Sequence, residues 1–346
     1  MTKNLTSCGS RERPRFVDLF CGAGLLSYGF KSAGMRPVLA LDVDAKAVQS
    51  YRQNIAKCAR VGDVKEVPED LFADVIIAGP PCQGFSTLGR RDPLDLRNEL
   101  GLSVVDWAAK LSPKIIVIEN VPNFVGSTWY EIIRERLHKL GYKLEVFVLD
   151  AERFGAAQRR KRAFTIASRI GPVGMPLPRK SKPRTFRQAV LDRPISSDDP
   201  MHVWPKPSEL AYERFINIPL GGGKGSLMDT RPDLCPESWF KIKGEATDVW
   251  SRVEPDRPSN TIRCAFQNPS KGKYIHPFEN RVLSLREAAR LQGIPDSWQM
   301  FGEPYPVARQ IGNGVPIPLG RAIAKQVMRT LREHDQTFIN SQFEAA

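Results

Sequence analysis

Between Phe16 and Ser168, short apolar runs alternate with amphipathic stretches, and this alternation limits the fold more than any other feature of the chain. Residues 15–20, 37–41, 74–78, 114–122, 143–149 and 163–168 read as strands, being short, rich in Val, Ile, Leu or Phe, and bounded by turn-forming residues. A further strand end falls at 61–64. Residues 25–33, 45–54, 100–111 and 129–140 carry apolar side chains at helical spacing, with Asp44 as N-cap of the second. Strands alternating with helices predict a mostly parallel sheet with helices on both faces, the doubly wound α/β class.

The chemistry-bearing residues fall where such a sheet places ligands, at the C-terminal ends of its strands. After the run Asp74-Val75-Ile76-Ile77, Pro80 and Pro81 stop the strand and stiffen the turn, holding Cys82 at its end. A thiol fixed there, beside the polar loop Gln83–Asn98, suits a covalent nucleophile; a small buried apolar residue is the plainer reading. Cys21-Gly22-Ala23-Gly24 is a tight turn between strand and helix, which lets backbone approach a ligand or simply makes a corner. The third glycine of a dinucleotide fingerprint would fall at Ser27, and acidic Asp18 precedes the glycines. Asp42 ends the second strand, where an acid accepts from a ribose diol, and Asp63 ends the third. Glu119 closes the most strand-like run and would be pushed toward its protonated form; pairing with an arginine or capping the next helix are the alternatives. Gln158-Arg159-Arg160-Lys161-Arg162 is a basic run wedged before a strand, directed at phosphate or a bound base unless it is a solvated face.

Composition narrows the partners. A formal charge of +13 and a pI near 9.6 point to a polyanion, nucleic acid first, against a generally basic soluble protein. Six cysteines form no C-x-x-C pair and no His cluster joins them, so no metal site is expected. Residues 1–15 are polar and basic, not a signal peptide, and no apolar run reaches the roughly 18 residues of a membrane span. A reducing cytoplasmic setting, with free thiols, is expected.

The pattern breaks after Ile170. Residues 171–260 hold thirteen of the 28 prolines and the cluster Gly221-Gly222-Gly223-Lys224-Gly225. This stretch reads as an irregular second lobe, ordered because Trp204, Trp239 and Trp250 need burial. Order returns at 283–291, a helix with Ser284 and Glu287 spaced as a capping box. Residues 310–316 read as a tight turn, 320–331 as a closing helix and 333–346 as a polar tail.

In their order, these blocks resemble the cytosine-C5 DNA methyltransferase family, of the bacterial modification type, from about Phe16 to Val327. Asp18-Leu19-Phe20-Cys21-Gly22-Ala23-Gly24 is similar to the motif that meets the methionine part of S-adenosylmethionine. Gly79-Pro80-Pro81-Cys82-Gln83 resembles the nucleophile motif, Glu119-Asn120-Val121 the acid motif, and Gln158 to Arg162 the Gln-x-Arg-x-Arg motif. Arg286-Glu287 with Leu291-Gln292-Gly293 and Gln310 to Val315 resemble the two closing motifs. The resemblance implies a Rossmann-like S-adenosylmethionine-dependent sheet over residues 1–180 and 305–346, and a target-recognition domain over 181–304, variable at about 181–260. It implies Cys82, Glu119, Arg160 and Arg162 as catalytic residues. Asp18, Phe20, Gly22, Gly24, Leu25, Asp42, Val43, Asp63, Val64, Gly79, Pro81, Leu100, Asn313 and Gly314 would bind S-adenosyl-L-methionine. Gln83, Ser86, Arg90, Arg91 and Arg97 would touch DNA. The expected substrate is a flipped cytosine in double-stranded DNA, the expected state a cytoplasmic, nucleoid-associated monomer, with a separately acting restriction endonuclease as a compatible partner. The rival readings are the tRNA-methylating branch of the family, a nicotinamide-dependent oxidoreductase, which Ser27 disfavours, and a catalytically dead DNA-binding relative. The target sequence is not legible; Lys224 and Arg231 could read base edges or hold phosphate.

Overall fold

The computed structural model describes residues 12–81, 100–241 and 248–344. Seven strands form one sheet in the order β3-β2-β1-β4-β5-β7-β6. They are β1 Arg15–Leu19, β2 Arg36–Asp42, β3 Ala59–Val61, β4 Val75–Ala78, β5 Ile115–Asn120, β6 Lys143–Asp150 and β7 Lys161–Ser168. The pairs from β3 through β5 are parallel, and β7 runs antiparallel to both β5 and β6. The mostly parallel, doubly wound sheet expected from the alternation is therefore present.

Helices α1 Leu25–Ser32, α2 Ala45–Asn54, α3 Ser103–Leu111 and α4 Thr128–Lys139 connect the strands. Asp44 caps α2 as its sequence position implies, its carboxylate accepting from Lys46 N and Ala47 N. Alternate residues of each strand feed opposite faces. Val17, Ile76 and Ile118 pack under Trp107 of α3 and Ile133 of α4. Phe16, Ile77 and Val117 pack under Phe30 of α1 and the C-terminal helix α10, Ile317–Glu344. α1 and α10 cross closely: a Cβ on Gly29 would lie 2.6 Å from the Gly320 carbonyl carbon.

After β7 the chain carries only short helices: α5 Glu209–Asn217, α6 Lys224–Thr230, α7 Glu237–Lys241, α8 Leu285–Leu291 and α9 Pro304–Asn313, before α10. Trp250 is buried there with Phe215 and Ile275, and Trp204 and Trp239 are partly buried against them. Arg252 ties this part together, donating to the carbonyls of Phe215, Ile218, His276 and Glu279 and to Asn280 Oδ1. A larger cluster joins it to the sheet, with Phe186, Leu285 and Trp298 against Val48 and Tyr51 of α2. α8 opens with the expected capping box of Ser284 and Glu287.

Two local expectations fail at the C-terminus. The glycines at 310–316 suggested a tight turn, but α9 runs on to Asn313. Gly312 serves close packing, since a Cβ there would lie 2.5 Å from the backbone of Arg263 and Cys264. The polar tail from 333 is helix to Glu344, its first residues anchored by a Lys114–Asp335 ion pair at 3.3 Å.

Candidate active site

A cleft of about 1060 Å³ opens over the C-terminal ends of β1, β2, β4 and β5, the position open α/β sheets use for ligands. Its floor begins with the turn after β1. Gly22 sits at φ 51, a left-handed value that costs an L side chain, and the space beyond its Cα is open. Its N–H donates to Asp42 Oδ2 at 2.8 Å, and Asp44 N donates to Asp42 Oδ1 at 2.9 Å. Burial holds the Asp42 carboxyl above its ordinary range against these two bonds.

Of the residues expected to hold the cofactor, Asp18, Phe20, Gly22, Leu25, Asp42 and Val43 line this cleft, as do Asp63, Val64, Gly79, Pro81, Leu100, Asn313 and Gly314. Val43 is 76% exposed at the rim, an uncovered apolar side chain beside Asp42. Val64 is fixed from below, its carbonyl accepting from Trp107 Nε1 at 2.6 Å. Gly24 is the exception: it does not line the cleft. At φ 89 it starts α1, and a Cβ there would lie 2.7 Å from Tyr51 and Ile55. Its glycine answers to packing and backbone conformation.

At the far end of the cleft, Glu119 stands at the end of β5, 8% exposed. Antiparallel β7 brings Arg162 beside it, Nε to Oε1 at 2.9 Å. Burial raises the Glu119 pKa, opposed by Arg162 and then Arg160. The pairing with an arginine and the upward shift, posed as alternatives from sequence, therefore coexist. Arg160 is nearly inaccessible, and it donates to the carbonyls of Ile262 at 2.7 Å and Gly312 at 2.8 Å. Its Nε has no hydrogen-bond partner, and burial with Arg162 nearby lowers its pKa to about 9. Arg160 is thus a brace between β7, the 259–263 segment and α9, with one unsatisfied N–H. Gln158 is a second cross-link, bonded to Leu291 O, Gln292 Oε1 and Ile262 N.

Cys82, Gln83, Ser86, Arg90, Arg91 and Arg97 lie outside the described residues. The chain approaching Cys82 is described: Gly79 lies beside Glu119, 3.6 Å from Oε2 to a built Cβ, and Pro81 lines the cleft. Sequence reasoning missed Thr261, Arg263, Cys264, Lys271 and Arg309, which form the wall opposite the sheet. Cys264 Sγ donates to Asn313 Oδ1 at 2.7 Å. All but Arg309 sit in or just after the proline-rich stretch, where no periodicity marks which side chains point inward. No cluster of metal-ligating residues occurs among the described residues.

A Gly turn at a strand end, an acid closing the neighbouring strand and an apolar rim make a nucleoside site on a Rossmann-like methyltransferase fold. The chain belongs to the C-5 cytosine-specific DNA methylase family, whose model matches residues 14–329. It is 31% identical over 373 aligned residues to the Type II methyltransferase M.XorII of Xanthomonas oryzae pv. oryzae, covering 93% of this chain and 86% of that protein. It is 30% identical to the Type II methyltransferase M.DdeI of Desulfomicrobium norvegicum, covering 90% and 88%. The fold matches that of the Entamoeba histolytica methyltransferase EhMeth at TM-score 0.67 and 16% identity, over 93% of this chain and 99% of that one. The protein is therefore a DNA (cytosine-5-)-methyltransferase; the tRNA and oxidoreductase readings are not favoured.

Proposed function

We propose that this enzyme transfers a methyl group from S-adenosylmethionine to C5 of a cytosine turned out of duplex DNA, through a covalent adduct with Cys82. The reading is carried by one observation: the Glu119–Arg162 pair faces the same cleft as the Gly22 turn and Asp42. Asp42 would take the ribose hydroxyls, Asp63 and Val64 the adenine, Val43 its face, and the Gly22 turn with Asn313 and Gly314 the methionine end. The bound cofactor supplies an electrophilic methyl group.

Cytosine C5 is a poor nucleophile in the intact ring. Addition of the Cys82 thiolate to C6 breaks the C5–C6 double bond and pushes electron density to C5 and toward N3. Glu119, with its raised pKa, delivers a proton at N3 and neutralises that charge. Arg162 holds O2 of the base and keeps Glu119 oriented. The enamine carbon C5 then takes the methyl group. Loss of the C5 proton to water returns the electron pair to the ring as the C6–S bond breaks. A stacked base cannot enter the cleft, so the nucleotide must leave the helix at a cost of a few kcal/mol. Arg160 acts by bracing the wall behind the base. Residues 181–304 serve as the target-recognition domain, and 1–180 with 305–346 as the catalytic domain. The enzyme works as a cytoplasmic, nucleoid-associated monomer, independently of any restriction endonuclease encoded beside it.

The test is methyl transfer to duplex DNA, followed by bisulfite sequencing of DNA from cells expressing the chain. Protection of one cytosine in a fixed sequence is expected. Transfer to tRNA with duplex DNA left unmodified would overturn the reading.

A further inference from the structure

Asp18 is a buried acid without a counter-ion. It ends β1 at 2% exposure and lines the cleft beside the Gly22 turn. Ser27 Oγ donates to its Oδ2 at 2.6 Å, and Tyr51 Oη lies 2.8 Å from the Ser27 hydroxyl. The titratable groups coupled to it are Asp42 from β2, Cys21 from the turn, Tyr51 from α2 and Cys58 before β3. All are acids, and no Lys, Arg or His pairs with Asp18 among the described residues. An ionised carboxylate in such a place is strongly disfavoured.

The cofactor proposed for this cleft brings the missing cation. S-adenosylmethionine carries a sulfonium, and after transfer the same sulfur is a neutral thioether. The amino-acid and nucleoside ends are identical in both forms, so the sulfonium charge is the only electrostatic difference.

We propose that Asp18 distinguishes fresh cofactor from spent cofactor, ionising when the sulfonium enters and keeping its proton when the thioether does. This rests on the cofactor reading above. The proton leaves Asp18 for solvent as the cation binds and is regained once the sulfur is neutral. Burial pushes the Asp18 pKa up to about 8, opposed by the Ser27 hydrogen bond and reinforced by Asp42, so the acid is protonated in the free enzyme at neutral pH.

Proton linkage gives the expected result. Affinity for S-adenosylmethionine rises about tenfold per pH unit from 6 to near 8, then flattens, while affinity for S-adenosylhomocysteine stays level. Titration calorimetry at pH 7 in phosphate and in Tris, whose ionisation heats differ, reads the proton count: close to one released with the sulfonium and close to none with the thioether. Asp18→Asn keeps the shape and the acceptor for Ser27, so it should fold, bind the thioether and release nothing. Ser27→Ala removes a bond that favours the ionised form and should move the affinity rise to higher pH. Glu119→Gln should leave the release intact. Equal release with both cofactors, or release surviving in Asp18→Asn, overturns the proposal. Failure of the wild-type enzyme to bind either cofactor overturns the cofactor reading beneath it.

Discussion

Replacing Glu119 by Gln isolates the proton at the far end of the cleft. Gln is nearly isosteric and can still accept from Arg162 Nε, now 2.9 Å from the carboxylate. The bare attraction lost is about 6 kcal/mol at that distance and an effective dielectric near 20, and desolvation of two buried groups offsets most of it. The net stability cost should therefore be about 1–2 kcal/mol, the scale of weakening one buried hydrogen bond. Chemistry suffers more. An amide can donate to N3 but cannot deliver a proton, and general acid catalysis contributes on the order of 10²–10⁴-fold, or about 3–5 kcal/mol of barrier. Asp42, Asp63 and the Gly22 turn are untouched, so cofactor affinity should stay within about twofold. Single-turnover methyl transfer at saturating duplex measures the first quantity, and equilibrium titration of cofactor the second. Turnover within about tenfold of wild type refutes the proposed role. So does a collapse of cofactor binding with chemistry intact.

Two further substitutions test other parts of the structure. Asp18→Asn should stabilise the free enzyme at alkaline pH. The acid's folded pKa is raised from 3.8 to about 8, so its stability contribution is complete below about pH 4 and is lost as pH rises toward 8; the gap caps the effect at about 6 kcal/mol. Urea unfolding at pH 5 and pH 8 should show the variant's advantage growing with pH; a constant or reversed difference refutes it. Arg252→Met strips the partner from four carbonyls and Asn280, which should cost about 3–5 kcal/mol and loosen residues 215–280. Duplex affinity should fall while cofactor affinity holds, and equal losses of both would contradict that division.

The sheet was legible because its strands are short apolar runs and its helices carry their own caps, as at Asp44 and Ser284. The strand-end residues followed, since a parallel sheet fixes where a C-terminal acid such as Asp42 or Glu119 must lie. Glycine was harder to read. Gly22 answers to a left-handed turn at the ligand, Gly24 to packing against Tyr51, and Gly312 to a close helix contact, yet the letter is the same. The role of Arg160 was also hidden, because only the folded chain brings Ile262 and Gly312 to its guanidinium. The wall at Thr261–Cys264 has no sequence signal: its residues are aimed by non-local contacts such as the Gln158–Ile262 bond.

The central claim is a thiol at position 82 and an acid at 119 acting on one extruded cytosine. Duplex DNA carrying 5-fluorocytosine at the methylated position, incubated with S-adenosylmethionine, tests it most directly, because C5 then has no proton to lose and the adduct cannot resolve. A denaturation-resistant protein–DNA species, with the DNA attached to the Cys82 peptide by mass spectrometry and absent from Cys82→Ala, is the predicted result. Normal turnover through the fluorinated site, or attachment at another residue such as Cys264, would contradict it.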